Sequence, residues 1–307
     1  MNSGLTARIK ALAVERNAVI LAHNYQPPEI QDVADFTGDS LELSLKAKGT
    51  EAEVIVFCGV RFMAETAKIL CPAKTVLLPA SDAGCPMADM VTADDIRELR
   101  GEHPAAAFVC YVNSSAEVKA ECDVCCTSGN AVEVVSRLPA GQEVVFVPDE
   151  NLGAHVQALL KREMLLWPGF CPTHARILPE TILSRRTEYP DAQVMVHPEC
   201  LAETRALADV VLSTGGMLKH ARNSGRGQFI VGTEVGLLHR LRQENPGKTF
   251  IPATEQARCP NMKRITLEML LESLETGIGE IALPEDLLLR SAAPLERMFN
   301  PATSPLK

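Results

Sequence analysis

Short continuous runs of apolar and β-branched residues recur along this chain, and each ends in polar or turn residues. They include VILAH at 19–23, VIVFC at 54–58, TVLLP at 75–79, FVCY at 108–111, VVFV at 144–147, VMV at 194–196, FIVG at 229–232 and TFIP at 249–252. Their lack of alternation predicts strands buried on both faces, as in parallel sheets covered by helices. Helical spacing follows in RFMAETAKIL, ENLGAHVQALLKR and EVGLLHRLRQEN.

The runs fall into three equivalent sets. VILAHNYQPPEIQDVADFTGDS (19–40), FVCYVNSSAEVKAECDVCCTS (108–128) and VMVHPECLAETRALADVVLST (194–214) align with one another. Each strand meets a ring residue, His23, Tyr111 or His197, and 17 positions later a hydroxyl, Ser40, Ser128 or Thr214. Each set closes on a Cys-Pro pair: Cys85, Cys171 and Cys259 lie 86 and 88 positions apart. The repeat predicts an α/β fold of three homologous three-layer αβα domains with parallel sheets, whose equivalent loops would converge if the units meet around a pseudo-threefold axis. The expected domains are 1–90, 91–176 and 177–307, the last with C-terminal closing helices. No G-x-G-x-x-G fingerprint marks a dinucleotide site.

Composition narrows the function. Hydrophobic residues make up 46% of 307 residues, ample for a core, and the formal net charge is -9. With no basic run, nucleic-acid binding is not expected. No apolar run spans a bilayer and the N-terminus lacks a secretory apolar segment, so a cytoplasmic protein without membrane contact is expected. Ten cysteines in that compartment point to thiols or metal ligands.

Cys85, Cys171 and Cys259 stand apart from the other seven by equivalence of position. Loops beyond the carboxyl ends of parallel strands gather functional groups. Three such loops meeting at one axis would aim three thiolates at one object. A [4Fe–4S] cube on three cysteines keeps one iron open to polarise a substrate oxygen. Zinc is disfavoured, because Cys122–Cys125 is the single C-x₂-C pair and has no partner pair. Cys58, Cys71, Cys110, Cys122, Cys125, Cys126 and Cys200 are read as packing.

Polar pairs at i, i+2 leave the first strand of each unit: His23 with Tyr25, Tyr111 with Asn113, His197 with Glu199. Strand period puts each pair on one face, where these groups can move protons. Ser40, Ser128 and Thr214 sit in small-residue loops just before helices, positions suited to capping and to holding anions. His174 follows Cys171 by three residues and lies within reach of the same substrate.

Taken together, His-Asn-Tyr-Gln at 23–26, Gly-Asp-Ser at 38–40, Cys-Gly-Val-Arg-Phe-Met-Ala-Glu at 58–65, Tyr-Val-Asn at 111–113, Cys-Cys-Thr-Ser-Gly-Asn at 125–130, His-Pro-Glu at 197–199 and Ser-Thr-Gly-Gly at 213–216 resemble the quinolinate synthase family. The resemblance spans essentially the whole chain. It implies a transferase of NAD biosynthesis that condenses iminoaspartate with dihydroxyacetone phosphate, releasing phosphate and water. It implies a pseudo-threefold arrangement of the three domains with a central [4Fe–4S] cluster on Cys85, Cys171 and Cys259. It makes His23, Ser40, Tyr111, Asn113, Ser128, His197, Glu199 and Thr214 the substrate shell, to which the position of His174 beside Cys171 adds that residue. Tyr25 matches a family tyrosine that assists catalysis; by their chemistry Glu199, His197, Tyr111 and His23 are read as further catalytic groups, with Glu199 as the expected general base. L-Aspartate oxidase is a candidate transient partner. The alternatives are a reductive three-repeat enzyme like hydroxymethylbutenyl diphosphate reductase, a radical enzyme of the diphthamide-synthesis type, and a non-enzymatic iron–sulfur sensor.

Overall fold

The computed structural model describes residues 2–299. It contains three four-stranded sheets, and every strand pairing within them is parallel. The first comprises β1 (Ala18–His23), β2 (Phe36–Gly38), β3 (Val54–Cys58) and β4 (Thr75–Leu77). The second comprises β5 (Ala107–Tyr111), β6 (Val124–Cys126), β7 (Val144–Val147) and β8 (Leu165–Leu166). The third comprises β9 (Gln193–Val196), β10 (Val210–Val211), β11 (Gln228–Gly232) and β12 (Thr249–Pro252). The spatial order is the same in each: β2-β1-β3-β4, β6-β5-β7-β8 and β10-β9-β11-β12. A helix joins each pair of consecutive strands within a sheet, as parallel crossovers require. These are three αβα layer units, as the repeated pattern predicts.

The apolar runs are buried on both faces. In β9 and β11, Val194, Val196 and Ile230 belong to a small cluster with Ile177, Ile182 and Ile251. Their neighbours Met195, Phe229 and Val231 point the other way, into the main core. The second strand of each unit is short, two or three residues, and lies at a sheet edge.

Two polar devices recur at matching positions. Asp35, Asp123 and Asp209 each accept a hydrogen bond from a first-strand N–H: Ile20 at 2.8 Å, Phe108 at 2.8 Å and Val194 at 2.7 Å. Lys74, Arg162 and Lys248 each donate to backbone carbonyls at the end of the helix before the third strand. Cations at helix C-termini satisfy free carbonyls and oppose the helix dipole.

The chain then returns to its beginning. The helix Leu267–Thr276 packs on the helix Asn2–Glu15. The segment after it bonds to β4 and the residue beyond it, Ile281 N–H to Val76 and Leu78 N–H to Gly279, which covers that sheet edge. Gly279 has φ +87° and sits against the Leu78 carbonyl, so a side chain there would clash. The last helix, Glu285–Phe299, packs on the helices Arg61–Leu70 and Ala116–Glu121 and on β6. The closing helices, expected with the third unit, lie mainly against the first and second. No described helix is long and apolar enough to cross a membrane.

Replacing Asp209 by Ala strands the buried Val194 N–H and frees Arg186, its ion-pair partner at 2.8 Å. The expected loss is about 1–3 kcal/mol, read as a lower urea midpoint with an unchanged m-value.

Candidate active site

The strands of each sheet end on the side where the loops carry the polar pairs, and these loops surround one cavity. Every residue singled out for chemistry lines it: Cys85, Cys171, Cys259, His23, Tyr25, Ser40, Tyr111, Asn113, Ser128, His174, His197, Glu199 and Thr214. Val60, Phe62, Met63, Met87 and Met262 supply apolar wall.

The three lining cysteines are also the half-buried ones; the other seven are buried. Burial pushes the Cys85 thiol up to about 12 and the Cys171 thiol well above the ordinary thiol range. The nearby Glu199 charge acts in the same direction on both, and each also interacts with a second cysteine of the set. Backbone N–H groups counteract this, from Ala88 and Met87 toward Cys85 and from His174 toward Cys171. Three converging thiols with N–H groups directed at sulfur suit an iron–sulfur cluster, whose ligands take such hydrogen bonds.

Glu199 organises the polar side. It is 3% exposed. The Tyr111 hydroxyl donates to its Oε1 at 2.5 Å, and His174 Nδ1 lies 2.8 Å from its Oε2. Burial alone would raise this carboxyl, but His174, His197 and the hydrogen bonds from His174 and Tyr111 outweigh it and hold it below the usual range. Cys171 Sγ is also 3.2 Å from His174 Nδ1, but the carboxylate is closer and takes the single proton. Cys171, His174 and Glu199 lie close enough together to hold one ion. That arrangement would leave Cys85 and Cys259 without a role in the same cavity.

A directed chain runs on from His174. His174 Nδ1 faces Glu199, its Nε2 lies 2.9 Å from Thr233 Oγ1, and Thr233 in turn lies 2.6 Å from the Tyr25 hydroxyl. Burial, with the Glu199 charge adding to it, pushes Tyr25 and Tyr111 well above the ordinary phenol range, so both stay protonated.

His23 and His197 are set alike. The amide N–H two residues on approaches Nδ1 in each: Tyr25 at 3.2 Å and Glu199 at 3.3 Å. Nδ1 therefore accepts, and the neutral ring carries its proton on Nε2. Burial is the main cause that lowers both to about 3.

The hydroxyl loops differ from expectation in one respect. Asp39, not Ser40, caps the helix Ser40–Gly49, accepting from Leu41 and Glu42 N–H in a capping box. Ser213, not Thr214, caps the helix Thr214–Asn223. Asn130 precedes the helix Ala131–Ser136 and bonds back to Thr127 N–H. The residue before each helix has the extended or loop backbone a cap needs, while Ser40 and Thr214 are already helical. Thr214 Oγ1 accepts from Asn24 Nδ2 at 3.0 Å. Helix N-termini are thus mostly satisfied, and Ser40, Ser128 and Thr214 face the cavity as hydroxyls.

Sequence reasoning missed Thr233 and Glu234. Buried Glu234 accepts from Cys259 N–H at 3.1 Å, Gly236 N–H at 2.7 Å and Lys263 Nζ at 2.9 Å. Lys263 also donates to the Tyr25 carbonyl, tying the Cys259 loop to the end of β1. A Cβ on Gly236 would meet Lys263, Glu234 and Tyr25 at 2.7–2.8 Å, so glycine is required there. The available signal was an acid at the end of a buried strand run, FIVGTE.

A profile of the family described as Quinolinate synthetase A protein matches residues 7–300. The chain is 56% identical over 296 residues to a quinolinate synthase of Dehalococcoides mccartyi strain 195, covering 96% of this chain and 98% of that protein. It is 52% identical over 300 residues to one of Pelobacter propionicus, with coverage of 97% and 98%. It is 50% identical over 295 residues to one of Methanoregula boonei, with coverage of 96% and 97%.

The neutral histidines set a pH response. With folded values near 3 and unfolded values near 6.5, the unfolded chain binds more protons in that window, so stability falls as pH falls. From pH 6.5 to 5 each histidine costs roughly 2 kcal/mol. The metal-free His197→Gln variant should lose about that much less than wild type over the interval, measured by urea unfolding at both pH values.

Proposed function

Because the chain belongs to the quinolinate synthetase A family, we propose that it condenses iminoaspartate with dihydroxyacetone phosphate to give quinolinate, phosphate and water. The observation that supports this most is the meeting of three half-buried cysteines and a buried Glu199 network in one cavity. Cys85, Cys171 and Cys259 would hold a [4Fe–4S] cluster. When bound, that group supplies a Lewis acid at the iron lacking a protein ligand.

The protein's own groups account for binding and proton transfer. Nε2–H of His23 and of His197 donate toward a substrate carboxylate or developing oxyanion, since their Nδ1 atoms are occupied. The hydroxyls of Ser40, Ser128 and Thr214 donate to carboxylates. Asn113 Oδ1 is buried without a partner among the described residues and accepts an N–H of the substrate. Glu199, ionised and fixed by Tyr111 and His174, takes a proton from a carbon next to the imine or carbonyl. Tyr25 and Thr233 hold His174 in the tautomer that steadies Glu199. The ten free cysteines fit the reducing cytoplasm, where an L-aspartate oxidase would supply iminoaspartate.

Anaerobic purification with iron and sulfide analysis, Mössbauer spectroscopy and a quinolinate assay tests the reading. Colourless, iron-free but fully active protein would sink it. Glu199→Gln should lower kcat by about 10²–10⁴ with iron content unchanged. Thr233→Val should lower kcat by about tenfold or more, also with iron retained, because His174 is then free to take its other tautomer. Full turnover in Glu199→Gln would remove it as the base.

A further inference from the structure

Four cysteines outside the cavity gather around the first crossover of the second sheet. Cys110 and Cys125 are direct partners on the neighbouring parallel strands β5 and β6. Such partners lie about 4.8 Å apart, inside the 4.4–6.8 Å Cα range that a disulfide spans. Cys122 ends the helix Ala116–Glu121 that joins these strands. Cys126 follows Cys125 on β6, and its side chain points to the opposite face. The Cys110 thiol lies 2.9 Å from Ser114 Oγ.

Lys119 stands beside this group and is fully buried. It donates to the Ser114 carbonyl and lies 5.6 Å from the Phe62 ring centre, and no carboxylate pairs with it among the described residues. A buried ammonium without a counter-charge is costly. The neighbouring group able to supply one is Cys110.

We propose that Cys110 and Cys125 form a reversible disulfide on exposure to hydrogen peroxide, a redox-modification site separate from the three cavity cysteines, with Cys110 as the nucleophile. Burial alone would raise the Cys110 thiol, but Cys122, Cys125, Lys119 and Ser114 outweigh it and hold it well below the ordinary thiol range. A thiolate of that kind reacts where a buried neutral thiol does not. The Cys110 thiolate attacks one peroxide oxygen: an S–O bond forms, the O–O bond breaks, and hydroxide leaves and takes a proton to become water. The Cys125 sulfur then attacks Cys110 sulfur and expels hydroxide, which takes the Cys125 thiol proton as the S–S bond forms and leaves as a second water. The net change is two thiols and one peroxide to one disulfide and two waters. Cys122 is 6% exposed, against 0% for Cys110 and Cys125, and is the member of this group nearest solvent. Cys110 immediately precedes Tyr111, and Cys125 lies three residues before Ser128. The bridge therefore ties together the two strands that deliver those side chains to the cavity.

The test uses anaerobically purified, cluster-loaded full-length protein treated with a few equivalents of hydrogen peroxide. Samples are quenched in acid, alkylated, digested and mapped by mass spectrometry. A Cys110–Cys125 linked peptide should appear and vanish after dithiothreitol. Cys110 should lose its free thiol at least tenfold faster than Cys58, whose thiol burial pushes up to about 12. In Cys125→Ser, dimedone should trap the sulfenic acid at Cys110. A Cys110 that stays alkylatable, or a Cys110–Cys122 bridge in its place, would overturn the proposal. The wild-type map needs no variant to fold, and it reads residues rather than turnover, so it stands or fails apart from the assigned reaction.

Discussion

Burying the Glu199 carboxylate is the interaction on which the site depends. A charge at 3% exposure is unsustainable without strong donors, and its donors come from different parts of the chain. Tyr111 reaches it from the end of β5, and His174 reaches it from the loop after β8. Through Thr233, at the end of β11, the same network reaches Tyr25 beyond β1. One carboxylate thereby couples the ends of all three sheets. Loss of any member would leave a buried polar atom unsatisfied, so the geometry of the cavity and the alignment of the three units are a single problem.

Much of this was legible in the sequence because it was written three times. A single His-x-Tyr or Cys-Pro pair is ambiguous, but the repeat assigns equivalent positions before any contact is known. Continuous apolar runs gave the parallel sheets, and their spacing placed every Cys-Pro loop at the same end. Two kinds of fact were not legible. Helix caps depend on backbone angles one residue wide, and so Asp39 and Ser213 took the role that hydroxyl content suggested for Ser40 and Thr214. Thr233 and Glu234 act by contacts with His174, Tyr25 and Cys259, and no spacing rule joins those positions.

The same limit explains the second thiol group. Spacing singled out Cys122–Cys125 and set it aside for lack of a partner pair. The third member, Cys110, lies on the neighbouring strand and meets the pair through sheet register. A pairing made across strands is invisible to a motif written along one segment.

Charge balance in the cavity argues for what it holds. Among the described residues, its lining includes the ionised Glu199 and three thiols, but no lysine or arginine. Lys263 is close, yet it is committed to Glu234 and the Tyr25 carbonyl. His23 and His197 are kept neutral by burial. Left to itself the site must therefore keep the Cys85 and Cys171 thiols protonated, as burial and the Glu199 charge dictate. Forming thiolates there requires positive charge from outside the protein, and a metal centre that takes three sulfurs releases those protons as it binds. A cavity that supplies a carboxylate, thiols and hydroxyl donors, with no lysine or arginine among the described residues of its lining, is matched to a positively charged centre on its sulfur side, with room left for an anionic substrate on its hydroxyl side.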